Sequence, residues 1–73
     1  MITVKAFARY RALLGFSELS LPVAPTLAGL LANPRLAALP QEALLAVNQS
    51  FADRAAPLRD GDEVALMPPV SGG

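Results

Sequence analysis

The stretch Ile2-Thr3-Val4-Lys5-Ala6-Phe7-Ala8 alternates apolar and polar residues with period two, the pattern of a half-buried strand. Ile2, Val4, Ala6 and Ala8 fall on one side, and Thr3, Lys5 and Phe7 on the other. Working outward, residues 9–14 read as a helical turn with Gly15 as its stop. Glu18-Leu19-Ser20-Leu21 alternates again and is closed by Pro22. A return this short predicts an antiparallel partner for the first strand.

Beyond this hairpin the period changes. Thr26 has the chemistry of a helix N-cap, and Leu27, Leu30 and Leu31 at i, i+3 and i+4 form a core-facing stripe. Gly29 stands where a capping box would place Glu, so the cap is incomplete. Asn33-Pro34 can start a second short helix, with Asn33 as cap and Pro34 in its first position. Leu36 and Leu39 then turn inward before Pro40. Residues 43–47 read as a third strand, Asn48-Gln49-Ser50 as a turn, and Phe51-Ala52 as a short edge strand. Asp60-Gly61 marks a reversal. The strand Glu63-Val64-Ala65-Leu66-Met67 follows and is stopped by Pro68-Pro69. The order strand, strand, helix, strands predicts an α+β fold with the helix on one face of a mixed sheet. At 73 residues the expectation is one domain, residues 1–73, with a tail at 69–73.

Composition removes whole classes of chemistry. Hydrophobic residues are 53% of the chain and charged ones 16%, which is the balance of a packed domain and not of a disordered tail. There is no Cys and no His, hence no thiol nucleophile, imidazole base or soft metal site. Six basic and six acidic residues cancel and are scattered, which argues against nucleic-acid binding. No apolar run approaches the ~20 residues of a membrane span. The N-terminus lacks the basic leader and apolar stretch of a signal peptide, so the expected location is the cytoplasm. Asp60-Gly61-Asp62-Glu63 lacks the alternating oxygen ligands of a calcium loop and reads as a turn, and no metal site is expected.

Function is concentrated in Pro68-Pro69-Val70-Ser71-Gly72-Gly73. Two prolines cannot continue a sheet ladder and hold the backbone near polyproline II geometry. The five residues from Pro69 can reach ~16 Å when extended. Gly72-Gly73 offers bare backbone, which a narrow channel in another protein could close around. A frayed end made of small residues would give the same letters.

The segment Phe7-Ala8-Arg9-Tyr10-Arg11 with Leu13-Leu14-Gly15, then Val47-Asn48-Gln49, then residues 58–73 together resemble the small subunit of molybdopterin synthase. The likeness spans almost the whole chain and departs in detail at residues 33–42. Where that family often has Phe, this chain has Met67, which keeps the apolar character. The resemblance implies the ubiquitin-like β-grasp fold. It also implies that Gly73 is the reacting residue, first as an acyl-adenylate and then as a C-terminal thiocarboxylate, with Pro69, Val70, Ser71 and Gly72 inserting into partners. No cofactor is expected on the chain itself. ATP and Mg²⁺ would be used by an adenylating enzyme of the ubiquitin-activating kind, and a persulfide-bearing donor protein would supply sulfur. The large synthase subunit would then provide the catalytic groups that transfer sulfur to cyclic pyranopterin monophosphate, with this chain as a non-catalytic donor subunit. A carrier for thiamin thiazole synthesis shares that fold and tail, and a ubiquitin-like protein modifier is the rival of another class.

Parity singles out a docking face. Phe7 lies opposite Ile2 and Val4, and Met67 opposite Val64 and Leu66. If the first and last strands are neighbours, as the resemblance implies, the two form one outward apolar patch at the root of the tail. Arg11 could pair there with an acidic partner or stand solvated. Asn48-Gln49 reads as turn chemistry rather than as a binding pair.

Overall fold

The alternation at the start of the chain becomes a central strand. In the computed structural model, which describes residues 1–69, β1 (Ile2–Ala6) has a neighbour on each side. On one side it pairs antiparallel with β2 (Glu18–Leu21) in the register Ile2↔Leu21 and Val4↔Leu19. On the other it runs parallel to β5 (Glu63–Met67), with Val4 beside Val64 and Ala6 beside Leu66. Strand β3 (Leu44–Val47) pairs antiparallel with β5, and the two-residue β4 (Ser50–Phe51) closes the sheet beyond it. The order is therefore β2-β1-β5-β3-β4, a mixed sheet whose first and last strands lie side by side at its centre.

Period two sorts the two faces. Ile2, Val4, Ala6, Leu21, Leu45, Val64 and Leu66 are buried on the inner one, where two helices of five residues cover them. The first, α1 (Tyr10–Leu14), ends at Gly15 with φ +84°. That conformation costs an ordinary side chain about 1–2 kcal/mol and glycine almost nothing. Tyr10, its first residue, is fully buried. The second, α2 (Leu27–Leu31), starts at Thr26, whose side chain accepts a hydrogen bond from the Gly29 N–H at 3.2 Å. Its remaining first-turn donors are met by the loop before β5: Leu27 N–H donates to the Ala56 carbonyl at 2.9 Å and Ala28 N–H to the Arg54 carbonyl at 2.8 Å. A helix this short is unstable alone. It persists because these donors are satisfied and because Leu27 and Leu30 are buried, with Leu31 packed partly against the same cluster. A 3₁₀ turn, Pro34–Leu36, follows with Asn33 Oδ1 accepting from the Arg35 N–H at 2.9 Å. It drives Leu36 into the core and leaves Leu39 packed against it.

The chain departs from simple alternation after Ala6. Ala8, which alternation assigns to the side of Ile2, is exposed and sits at φ +51°. The backbone has already left the strand there, and the Phe7 and Ala8 carbonyls accept the first bonds of α1 from the Tyr10 and Arg11 N–H groups, both at 3.1 Å. Phe7 keeps one tie to the sheet, its N–H donating to the Leu66 carbonyl at 3.1 Å. Apart from the hydroxyl of Tyr10, no buried polar or charged side chain occurs among the described residues. No helix among them is long and apolar enough to cross a membrane.

Candidate functional site

The outer face of the sheet has no helix over it. Its residues come from the odd positions of β1 and β5 and the even ones of β3, as the pleat requires. Registers align them in rows. Leu44 is beside Met67, and Phe7 follows directly on β1 at the same end. One step down, Lys5, Ala65, Ala46 and Phe51 run across four strands. Small Ala65 and Ala46 form a floor, while Phe7, Met67 and Phe51 stand around it. The result is a shallow concavity of about 330 Å³, which Lys5, Gln49 and Glu63 also line. Phe7 is 37% exposed and Phe51 77%. An apolar hollow with a polar margin is what a protein partner's side chain can fill.

Its polar side is ordered. Lys5 Nζ lies 3.1 Å from Glu63 Oε1, a partly exposed pair worth at most about 1 kcal/mol. Asn48 joins the β3–β4 turn to the start of β5. Its N–H donates to the Glu63 carbonyl at 2.8 Å and its Oδ1 accepts from the Glu63 N–H at 2.9 Å. Its Nδ2 donates to Asp62 Oδ1 at 2.9 Å. The other Asp62 oxygen accepts from the Arg59 N–H at 2.8 Å. The bond from Asn48, and after it the one from Arg59, hold the Asp62 carboxyl below its usual range.

The structure brings Phe7 and Met67 into one concavity, as their parity together with the adjacent first and last strands implied by the resemblance led one to expect. Arg11 lies on the exposed side of α1, and its Nε donates to the Ala6 carbonyl at 3.3 Å, which ties the guanidinium to the end of β1. Pro69 is partly buried just past β5. The expectations for Val70, Ser71, Gly72 and Gly73 lie outside the described residues. Sequence reasoning missed Phe51, Ala46 and Leu44 as members of this face. A signal existed for Phe51: a two-residue hairpin at Asn48-Gln49 sets Phe51 opposite Ala46, an outward position. Among the described residues, no group of three or more Asp, Glu, His or Cys could hold a metal ion.

The model described as "ThiS family" matches residues 4–73. SAMP1 from Haloferax volcanii is similar in structure, with a TM-score of 0.77 and 26% identity over 99% of this chain and 98% of that one. A Pyrococcus furiosus chain assigned as subunit 1 of molybdopterin converting factor gives a TM-score of 0.76 and 28% identity, covering 94% of this chain and 97% of its own. A chain in the complex of subunits 1 and 2 of molybdopterin-converting factor from Helicobacter pylori 26695 gives 0.71 and 27%, over 99% of this chain and 97% of that one.

Proposed function

This chain belongs to the ThiS family and has the ubiquitin-like β-grasp fold of small sulfur carriers; on that premise we propose that it is the sulfur carrier of molybdopterin synthase, with Gly73 as the carrying residue. One observation carries the reading. Strand β5, bonded to a neighbour on both sides, lines an apolar concavity with its last residue, Met67, and Pro68-Pro69 follow at once, so a surface for docking and the start of the segment that carries Gly73 lie at the same end of one strand. The likeness over nearly the whole chain to molybdopterin converting factor components favours this pathway over other uses of a carried sulfur.

The chemistry needs nothing on the chain beyond its terminal carboxylate. A carboxylate is a poor electrophile because its charge is spread over both oxygens. One oxygen attacks the α-phosphorus of ATP held with Mg²⁺ by an adenylating enzyme, and pyrophosphate leaves. The acyl-adenylate carbonyl is then attacked by the outer sulfur of a donor protein's persulfide, and AMP leaves with the electron pair. A second thiol cleaves the acyl disulfide, forming a disulfide with the donor and releasing the thiocarboxylate. The large synthase subunit then takes that sulfur for cyclic pyranopterin monophosphate, and two rounds complete the dithiolene. Acids and bases come from the partners, which suits a chain with no Cys or His.

The test is intact mass of the protein isolated from its own cells, then molybdopterin formation with the large subunit. One oxygen exchanged for sulfur, lost on reaction with the precursor, is the expected result. A chain that never gains sulfur, or gains it and yields no molybdopterin, would overturn the reading. The similarity to SAMP1, described as a small archaeal modifier protein, supports a second one, conjugation to lysines. That reading requires isopeptide adducts of Gly73 in cells.

A further inference from the structure

The segment between β1 and β2 is anchored at few points. Of residues 7–15, Tyr10 alone is buried and Leu14 is half-buried, and the other seven are exposed. Helix α1 has five residues, its N-cap Arg9 makes no side-chain capping bond, and no acidic residue stands in its first turn. A helix so short and uncapped has little stability of its own. The contrast with α2 is direct. That helix has the Thr26 cap, two buried leucines, and two first-turn donors met by the loop before β5.

The closed arrangement also carries two local costs. Ala8 sits at φ +51°, a left-handed conformation that an alanine side chain resists. The Tyr10 ring is fully buried, and its hydroxyl has no hydrogen-bond partner among the described residues. Burial therefore strips water from that hydroxyl without replacing it. Arg9, itself exposed, lies over the ring at 5.5 Å from its centre. Both costs vanish when the segment lifts, because Ala8 relaxes and the hydroxyl reaches water. The ladders of β1 need not break, since neither extends past Ala6.

We propose that residues 7–15 form a strap that opens and closes as one unit while the sheet and α2 stay folded. Local opening is drawn from the parts of a protein with few buried contacts, and here one aromatic residue is the main anchor. The strap lies at the end of the sheet where β5 hands over to residues 68–73. Closed, it holds that end of β5 through the Phe7 N–H, which donates to the Leu66 carbonyl at 3.1 Å. Open, the last step of β5 is tied on its β3 side, where Leu44 pairs with Met67. The strap is thus a device that fixes or loosens the root of the tail from one side.

Native-state hydrogen exchange of the full chain in low urea is the test. Phe7, Leu13 and Gly15 report the strap, their N–H groups donating to the Leu66, Arg9 and Arg11 carbonyls. Thr3 and Leu30, donating to the Asp62 and Thr26 carbonyls, report the sheet and α2. The strap amides should be at least about 10-fold less protected than Thr3 and Leu30, with a weaker urea dependence because less surface is exposed. Ile2→Val, at the far end of β1, should lower protection at Thr3 and Leu30 about 2- to 10-fold and leave the strap amides unchanged. Ala8→Gly should raise strap protection about 2- to 5-fold by removing the left-handed strain. Strap amides as well protected as Thr3, or falling with it in Ile2→Val, would overturn the proposal. Strap amides indifferent to Ala8→Gly would overturn it too.

Discussion

Phe51→Ser isolates the docking face from the core. Phe51 is 77% exposed, so about a quarter of a side chain that can bury ~200 Å² is covered in the free protein. At about 25 cal/mol per Å² that contact contributes ~1 kcal/mol to folding, below the ~3–5 kcal/mol that a core of this size supplies. The variant should therefore fold. If a partner covers the remaining ~150 Å², the gross apolar gain at the same coefficient is ~4 kcal/mol. Ordering and desolvation consume part of this. A net loss of about 1–2 kcal/mol is expected, or roughly 5- to 30-fold in affinity. The assay is calorimetric titration of wild type and variant into the adenylating enzyme and into the large subunit, with urea unfolding of each carrier alongside. Phe51→Ser binding both partners as the wild type does would refute the assignment of this face. Phe7 is the harder residue to test, because at 37% exposure its replacement also removes intramolecular contact.

Three further outcomes follow from the packing and the charges. Leu30→Ala, at a position only 2% exposed, should cost about 2–5 kcal/mol, enough to leave much of the protein unfolded by circular dichroism at 25 °C, whereas Leu31→Ala should cost less. Tyr10→Phe should change the urea midpoint little, or raise it, because the buried Tyr10 hydroxyl has no hydrogen-bond partner among the described residues and its removal breaks none. The Asp62 carboxyl is held below its ordinary 3.8 in the folded protein, so its contribution is present above that value and lost as pH falls through the lower folded one. Asp62→Asn should flatten that acid limb of a stability-against-pH curve, and an unchanged limb would show that Asp62 does not contribute to it.

Much of this fold can be read from local chemistry. The alternation over β1, the Thr26 cap, the Asn33-Pro34 start and the Asp60-Gly61 reversal each act within a few residues, so their letters carry their structure. Strand pairing is different. Nothing in the period of β1 or β5 states that they run parallel at the centre of the sheet, because period two records which side is wet and not which strand is adjacent. The resemblance supplied that neighbour, and with it the meeting of Phe7 and Met67. Phe51 was lost at a turn. Its side follows from β3 only if Asn48 and Gln49 both take positive φ, and glutamine does not announce that conformation as glycine would. Ala46 shows the same limit from the other direction. It is buried on the outward face, where the apolar residues around it exclude water that alternation alone would have allowed.

The two faces of the sheet divide the work. The inner face is apolar across β1, β2, β3 and β5 and is closed by α1 and α2, so changes there act on folding before they act on anything else. On the outer face, Thr3, Lys5 and Glu63 are polar toward the start of β5, and Phe7, Met67 and Leu44 are apolar toward its end. The apolar end is also where the chain leaves for Gly73. On the proposed carrier reading, with acids and bases supplied by the partners, the chain acts on the rate through how firmly it docks and how its tail is then placed. Docking energy is therefore most useful at the root of the tail, where a rotation about the contact moves the distant carboxylate least. Placement within ~1 Å can be worth a hundredfold in rate. Strand β5 meets both needs, because its ladders to β1 and β3 tie the direction of Pro68-Pro69 to the same framework that holds the concavity.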